Sequence, residues 1–238
     1  MNYSIRELKR DENKILDTFL YEAIFIPEGV PVPSKDIINK PDLQVYVKDF
    51  GENKGDLCLV AQVSDKIVGI SIATRPDCIT EDIAKLIASY ADKYDVSVEL
   101  GLQTSNDNIG RIINRYYTTT QFTTAVNILR KYNIEIIAHM MIGLPKESFE
   151  DIKDTVIFIN SHDIQGLKIH STYIVKNTVL ASMYYNKEYE PITLDYYLDA
   201  LTYVITHVRP DLIIHRISGD APKDLLVAPK WNLHKKWI

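Results

Sequence analysis

Seven polar side chains recur inside otherwise apolar runs: Ser97, Glu99 and Gln103 in VSVELGLQT, His139 in IEIIAHMMIGLP, Lys168 and His170 in QGLKIHST, and His215 in DLIIHRIS. A carboxylate, an ammonium and several imidazoles can accept, donate or relay protons, and an amide can orient a ligand through paired hydrogen bonds. In an extended strand alternate residues share a face, so Ser97, Glu99, Gly101 and Gln103 line one side while Val98, Leu100 and Leu102 line the other. His139, Met141 and Gly143 continue that polar side, as do Lys168 with His170, and His215. Parallel strands covered by helices are apolar on both faces, so a polar face needs a reason. Two readings stand open. One is an internal network with Glu99 paired to Lys168 and the histidines satisfied by backbone. The other is a ligand or cofactor site near the strand C-termini, because gathering ionisable groups is costly without a use. The candidate catalytic groups are Lys168, His170 and His215. His139, His170 and His215 could bind a metal only by meeting in three dimensions, and scattered core histidines are the alternative. No Ser–His–Asp order and no HExxH spacing occurs.

The elements that must carry these residues come from periodicity. From residue 69 onward strands alternate with helices, the helices expected over 80–94, 106–116, 121–132, 148–161 and 194–207, with a polar connection before the last. That rhythm implies right-handed βαβ crossovers and a parallel sheet. Five strands fall short of the eight in a closed barrel, so the expected fold class is α/β, a partial (β/α) barrel or curved, mostly parallel sheet. The first seventy residues have a different order, β-α-α-β-β. A strand is expected over 3–8 and a helix over 13–25, which the prolines of PEGVPVPS break. A second helix should start near Ser34, well placed as N-cap. LCLVAQV and KIVGISIA then form a hairpin around Ser64 and Asp65. The expected division is therefore 1–70 and 71–238, the latter ending in a C-terminal extension.

Bulk properties exclude several classes. The net charge is −5, with 9 basic against 12 acidic residues up to Ile70 and 18 against 20 after it, so neither part is a nucleic-acid binder by charge alone. The basic tail APKDLLVAPKWNLHKKWI is the one local exception. Two cysteines, Cys58 and Cys78, cannot build a disulfide framework, and no signal peptide or apolar run of transmembrane length occurs. A reducing cytoplasm is expected, with no membrane association. Two thiols are also too few for a three-cysteine iron–sulfur site or a four-thiolate zinc site.

The stretches GISIATRPDC, VELGLQT, NRYYTTTQF, AHMMIGLPKESFED, GLKIHSTYIVKNTVLASMY and HRISGDAPKDLLVAPKW, in that order, resemble the radical S-adenosylmethionine superfamily. The likeness is to its YhcC/YtqA-like group, itself similar to the radical domain of the Elongator catalytic subunit. The resemblance implies a partial (β/α)₆ barrel in which GISIATRPD is the third strand. It implies that Glu99 and Gln103 line a nucleoside pocket, with Ile142 and Gly143 against the adenine. It further implies S-adenosylmethionine as ligand and a [4Fe–4S] cluster as cofactor. The family's CxxxCxxC triplet is absent from this chain, and Cys78 in RPDC is not a cluster ligand in the family. The cluster is therefore not supported by the sequence, and the expectation is a protein without radical catalysis that keeps a vestigial nucleoside pocket. Kinship to Elongator and the basic tail together imply transfer RNA as an ancestral substrate.

The segment YSIRELKRDENKILDTFLYEAIFIPEG, with KPDLQVYVKDFGENKGDLCLVAQVSDKIVGI after it, resembles the N-terminal part of a GNAT acetyltransferase. That resemblance implies acyl transfer from acetyl-CoA, yet no glycine-rich pyrophosphate turn of the Q/RxxGxG/A form comes after Ile70. Three outcomes remain: a nucleoside-binding relative of radical enzymes, an N-acetyltransferase, and a non-catalytic chimeric scaffold joined at KIVGISIATRPDC.

Overall fold

The computed structural model describes residues 4–12, 14, 16–17, 21, 33–40, 44, 59–63, 66–91, 93–219 and 223–234. The chain divides into two compact units, residues 1–70 with 93–95, and residues 71–92 with 96–238.

In the first unit β1 (Ser4–Glu7) pairs antiparallel with β2 (Leu59–Val63), setting Ser4 opposite Gln62 and Glu7 opposite Leu59. β2 pairs antiparallel with the start of β3 (Lys66–Thr74), Val63 opposite Lys66, as the hairpin pattern predicts. Arg6 grips Glu12 through two hydrogen bonds of 2.6 and 2.7 Å, closing the turn after β1. Ser34 does act as an N-cap, its side chain accepting from the Asp36 N–H, but the element it caps, Lys35–Asn39, is a short 3₁₀ helix. The helix expected over 13–25 lies largely outside the described residues, as does the rest of the second one.

The second unit is α/β. Its strands are the latter half of β3, β4 (Asp95–Gln103), β5 (Glu135–Ile142), β6 (Gly166–Ser171) and β8 (Ile213–Arg216), a parallel sheet of five strands in that order. Parallel register sets Gly101 beside His139 and His139 beside Lys168, so the polar residues of successive strands meet on one face. The crossovers are α1 (Glu81–Ala91), α2 (Asp107–Ile112), α3 (Thr119–Lys131), α4 (Phe149–Asn160) and α6 (Leu194–His207). Reciprocal capping boxes start two of them: Thr118 with Gln121 before α3, and Ser148 with Asp151 before α4. Helices cover the apolar side of the sheet, where Val98, Leu100, Ile136, Ala138, Met140 and Ile169 are fully buried.

The stretch between β6 and α6 departs from the polar connection expected there. It folds into β7 (Ile174–Val175) and α5 (Val179–Tyr185), and β7 pairs antiparallel with β9 (Leu226–Ala228) from the C-terminal extension. Ile174, Ala181, Tyr189 and Ala228 form a small separate core there. Its strands are two and three residues long, below the length at which alternation can be read. Among the described residues no helix is long and apolar enough to cross a membrane.

Candidate functional site

The polar face of β4–β6 is organised around Glu99. Its Oε1 accepts from Lys168 Nζ at 2.6 Å and from Ser71 Oγ at 2.9 Å, and Oε2 lies 2.7 Å from His139 Nε2. An ionised carboxylate only accepts, so His139 donates through Nε2. Ser97 donates to Ser71 Oγ at 2.9 Å, extending the network along β4. The hydrogen bond from His139 holds the Glu99 carboxyl well below the usual range, against the opposing effect of burial and with help from Lys168 and Ser71. The Glu99–Lys168 pair expected from sequence is thus present, while His139 is satisfied by that carboxylate and not by backbone.

His170 stands beside this group, its ring centroid 5.2 Å from that of His139. Burial first, then the neighbouring His139, Arg216 and Lys168, push its imidazole down to about 4, so it is neutral at pH 7. Its Nε2 is buried with no hydrogen-bond partner among the described residues. His215, exposed on β8, lies over Gly166, its Nε2 2.5 Å from where a Cβ on that glycine would stand. Among the described residues no group of three or more His, Cys, Asp or Glu side chains is placed to hold a metal ion.

The four expected pocket residues are not gathered in one place. Gln103 ends β4 with φ +60°, and the Tyr117 hydroxyl lies 2.9 Å from its Oε1 and 3.0 Å from the Gly101 carbonyl. Ile142 is fully buried, on the helix-covered side with Ala138 and Met140, because its parity along β5 is opposite to that of His139 and Met141. Gly143 adopts φ +90°, a conformation open to glycine, and a Cβ there would stand 2.8 Å from Ile192. Its N–H donates to Glu147 Oε2 at 2.6 Å, that of Leu144 to the same oxygen at 3.2 Å, and its carbonyl accepts from Tyr189 at 2.6 Å. Burial pushes the Glu147 carboxyl up to about 7 against those two N–H donors.

A cavity of about 520 Å³ opens at the C-terminal ends of the parallel strands, within the size range of small-molecule sites. Gln103 and Met141 reach it from the polar face, Arg75 from beyond β3 and Thr172 from beyond β6. Thr172 is 3% exposed, and its hydroxyl has no partner among the described residues. One wall is residues 112–117. There Arg115, buried, donates to the carbonyls of Leu102 (2.8 Å), Thr104 (2.6 Å) and Tyr117 (2.9 Å) and pairs with Asp107. Two guanidiniums stand over the Tyr117 ring, Arg75 at 5.6 Å and Arg115 at 5.3 Å from its centroid. Sequence reading missed Arg115, Tyr117, Glu147 and Thr172. Arg115 and Tyr117 lie between α2 and α3, Glu147 after β5 and Thr172 after β6, in connections where no period marks a residue, although NRYY and GLPKE already stood within distinctive stretches. What the site can do with these groups is bind and orient a small molecule. It offers hydrogen-bonding groups on its floor and apolar contact on its walls.

Two family models match the chain, the Radical SAM superfamily over residues 38–159 and the Radical SAM C-terminal domain over residues 164–238. The first begins well before Ile70, within the segment that resembles an acetyltransferase. YtqA of Bacillus subtilis is 35% identical over 171 residues, covering 72% of this chain and 53% of YtqA. YhcC of Escherichia coli K12 is 30% identical over 191 residues, covering 79% and 62%. The chain therefore spans between half and two thirds of these relatives' length. Among solved structures, the archaeal Elp3 of Methanocaldococcus infernus superposes with a TM-score of 0.62 at 22% identity, covering 68% of this chain and 38% of that one, a likeness of fold. A five-stranded parallel sheet with a polar inner face, and family models that together run from residue 38 to 238, lead to one conclusion: this chain belongs to the radical SAM superfamily.

Proposed function

We propose that this chain binds an adenine nucleoside, S-adenosylmethionine in the first instance, in the cavity at the C-terminal ends of β4–β6, and that its own residues perform no radical chemistry. The observation that carries the reading is the cavity itself, with the unpartnered buried hydroxyl of Thr172 and the amide of Gln103 on its floor. Ligands of α/β proteins collect at this end of the sheet. The residues fit such a group. Gln103 and Thr172 supply hydrogen bonds, and Met141 supplies an apolar surface for a purine. Ile142 and Gly143 act by shaping the turn after β5, which Glu147 and Tyr189 hold in place. Glu99 acts one step away, fixing His139 and Lys168 on the sheet's inner face. When bound, the nucleoside supplies a sulfonium with activated carbon–sulfur bonds.

A [4Fe–4S] cluster does not fit these residues. Two cysteines cannot furnish three thiolates. The acetyltransferase-like reading of residues 1–70 is supported by the antiparallel pairing of β1, β2 and β3, and the radical SAM match from residue 38 weighs against it. With no pyrophosphate-binding turn after Ile70, that segment is assigned a structural part in a chimeric chain and not acetyl transfer. A cytoplasmic location belongs to the same reading, and transfer RNA is left as an ancestral substrate.

The test is isothermal titration calorimetry with S-adenosylmethionine. Saturable heat is expected, weakened several-fold by Thr172→Val, which removes the hydroxyl at nearly constant volume. No heat at millimolar nucleoside sinks the proposal.

A further inference from the structure

The mouth of the same cavity is apolar in a way its floor is not. Ile112 is 43% exposed, Tyr116 80% and Val179 71%, and all three line this one opening, with Leu180 and Met183 alongside. Single exposed apolar residues mean little, whereas several around one concave opening mark a binding surface.

Tyr116 is presented by the chain itself. Arg115 before it is locked inward by three carbonyls and Asp107, and Tyr117 after it is buried, its hydroxyl beside Gln103 and Gly101. With both neighbours held inward, Tyr116 must point out, and it does so at φ +62°, a left-handed conformation that is unfavourable for a bulky residue. On the facing lip, Val179 opens α5 directly after the N-cap Thr178, whose side chain accepts from the Ala181 N–H and fixes that turn.

Charge around the cavity is of one sign. Arg75 and Arg115 line it, and among the described residues no aspartate or glutamate does. Arg115 is fully engaged. Arg75, with its side chain 52% exposed, is held by Asp77 through two hydrogen bonds, from Nε at 2.9 Å and from one terminal nitrogen at 2.5 Å; a guanidinium has five N–H donors, so those that remain can meet an anion without breaking this pair.

We propose that this opening seats the apolar, ring-bearing part of a second ligand carrying an anionic group. The ring would lie between Tyr116 with Ile112 on one lip and Val179 with Met183 on the other, and the anion would face Arg75. The inference rests on the nucleoside reading in taking the same cavity, and it names the class of molecule the nucleoside would meet there: an aromatic or polycyclic acid.

The experiment uses 1-anilinonaphthalene-8-sulfonate as anionic probe and N-phenyl-1-naphthylamine as its uncharged counterpart, with the full chain and fluorescence readout. Saturable enhancement at one site is expected with the anionic probe, and several-fold weaker binding with the uncharged one. The double variant Tyr116→Ser, Val179→Ser should weaken the anionic probe by about tenfold. Arg75→Gln should remove the preference for the anion and leave the uncharged probe unchanged. Tyr116 and Val179 are exposed, so the double variant should melt where wild type does, which separates loss of site from loss of fold. Unchanged anionic-probe affinity in the double variant overturns the proposal, as does equal affinity for the two probes. Calorimetry with S-adenosylmethionine on the same double variant reports on the floor separately. Nucleoside heat that persists while probe binding does not respond to the mouth variants defeats this inference alone. Absent nucleoside heat with probe binding that does respond defeats the nucleoside reading alone.

Discussion

Glu147 sits where two demands oppose each other. Its carboxylate receives the N–H groups of Gly143 and Leu144, which favour the charged form, and it is buried, which disfavours it; burial prevails and the group titrates at about 7. The folded state therefore holds this proton more tightly than the unfolded chain, whose glutamates titrate near the ordinary value of about 4.3. Its stabilising contribution is complete below that value and is lost as pH rises toward 7. The loss is on the order of 3 kcal/mol. Glu147→Gln keeps an acceptor for both N–H groups and removes the titration, so urea midpoints measured across this pH window should lose this downward component. An unchanged slope in the variant would show that another group carries it. Glu99 is the opposite case. Its folded pKa is depressed chiefly by His139, so its contribution stands above the unfolded value and is lost only in acid. Of these two carboxylates only Glu99 was legible beforehand, because strand parity marks it and nothing periodic marks Glu147.

The loop from β4 into α2 and α3 depends on one buried cation. The Arg115 guanidinium joins three carbonyls of the strand end and its own loop, and its charge is met by Asp107, which also accepts from the N–H and hydroxyl of Thr119 at the start of α3. Arg115→Met would fill similar volume but leave three buried carbonyls and one carboxylate without their donor. A destabilisation of about 3 kcal/mol or more is expected, read as a lower urea midpoint with unchanged slope. The variant should also release Tyr117 and so weaken nucleoside binding. A variant as stable as wild type would mean that water replaces the guanidinium and the loop does not rely on it. α3, which follows this loop, was readable from its helical period over 121–132, and the structure starts it with the Thr118–Gln121 capping box. The loop itself was not, because Asn114 and Tyr116 take positive φ that no local rule assigns to a tyrosine.

At the scale of the whole molecule, the family and the cysteine count point in different directions. The fold is one that houses S-adenosylmethionine beside an iron–sulfur cluster, and this chain has two thiols. Anaerobic reconstitution with iron and sulfide, and assay of both, should give far less than one cluster per chain. Stoichiometric iron with a charge-transfer absorption band would overturn the assignment. The sequence by itself determined the α/β class, the parallel sheet and its polar face, since a period of two within strands and strand–helix alternation are local properties that burial enforces at every position. It also offered the pairing of Glu99 with Lys168 as one of two open readings, since parity puts both charges on one face; that they meet across the intervening β5, with His139 between them on that strand, is a product of the sheet order. Only the tertiary structure decided that α5 and residues 112–117 wall a cavity, and that Thr172 lies at its floor without a partner among the described residues. Those outcomes depend on which loops meet at the ends of the strands. A contact such as that of Asn232 with Ser171, 61 positions apart, is set by chain closure and packing of the whole sheet, and no window along the sequence contains it.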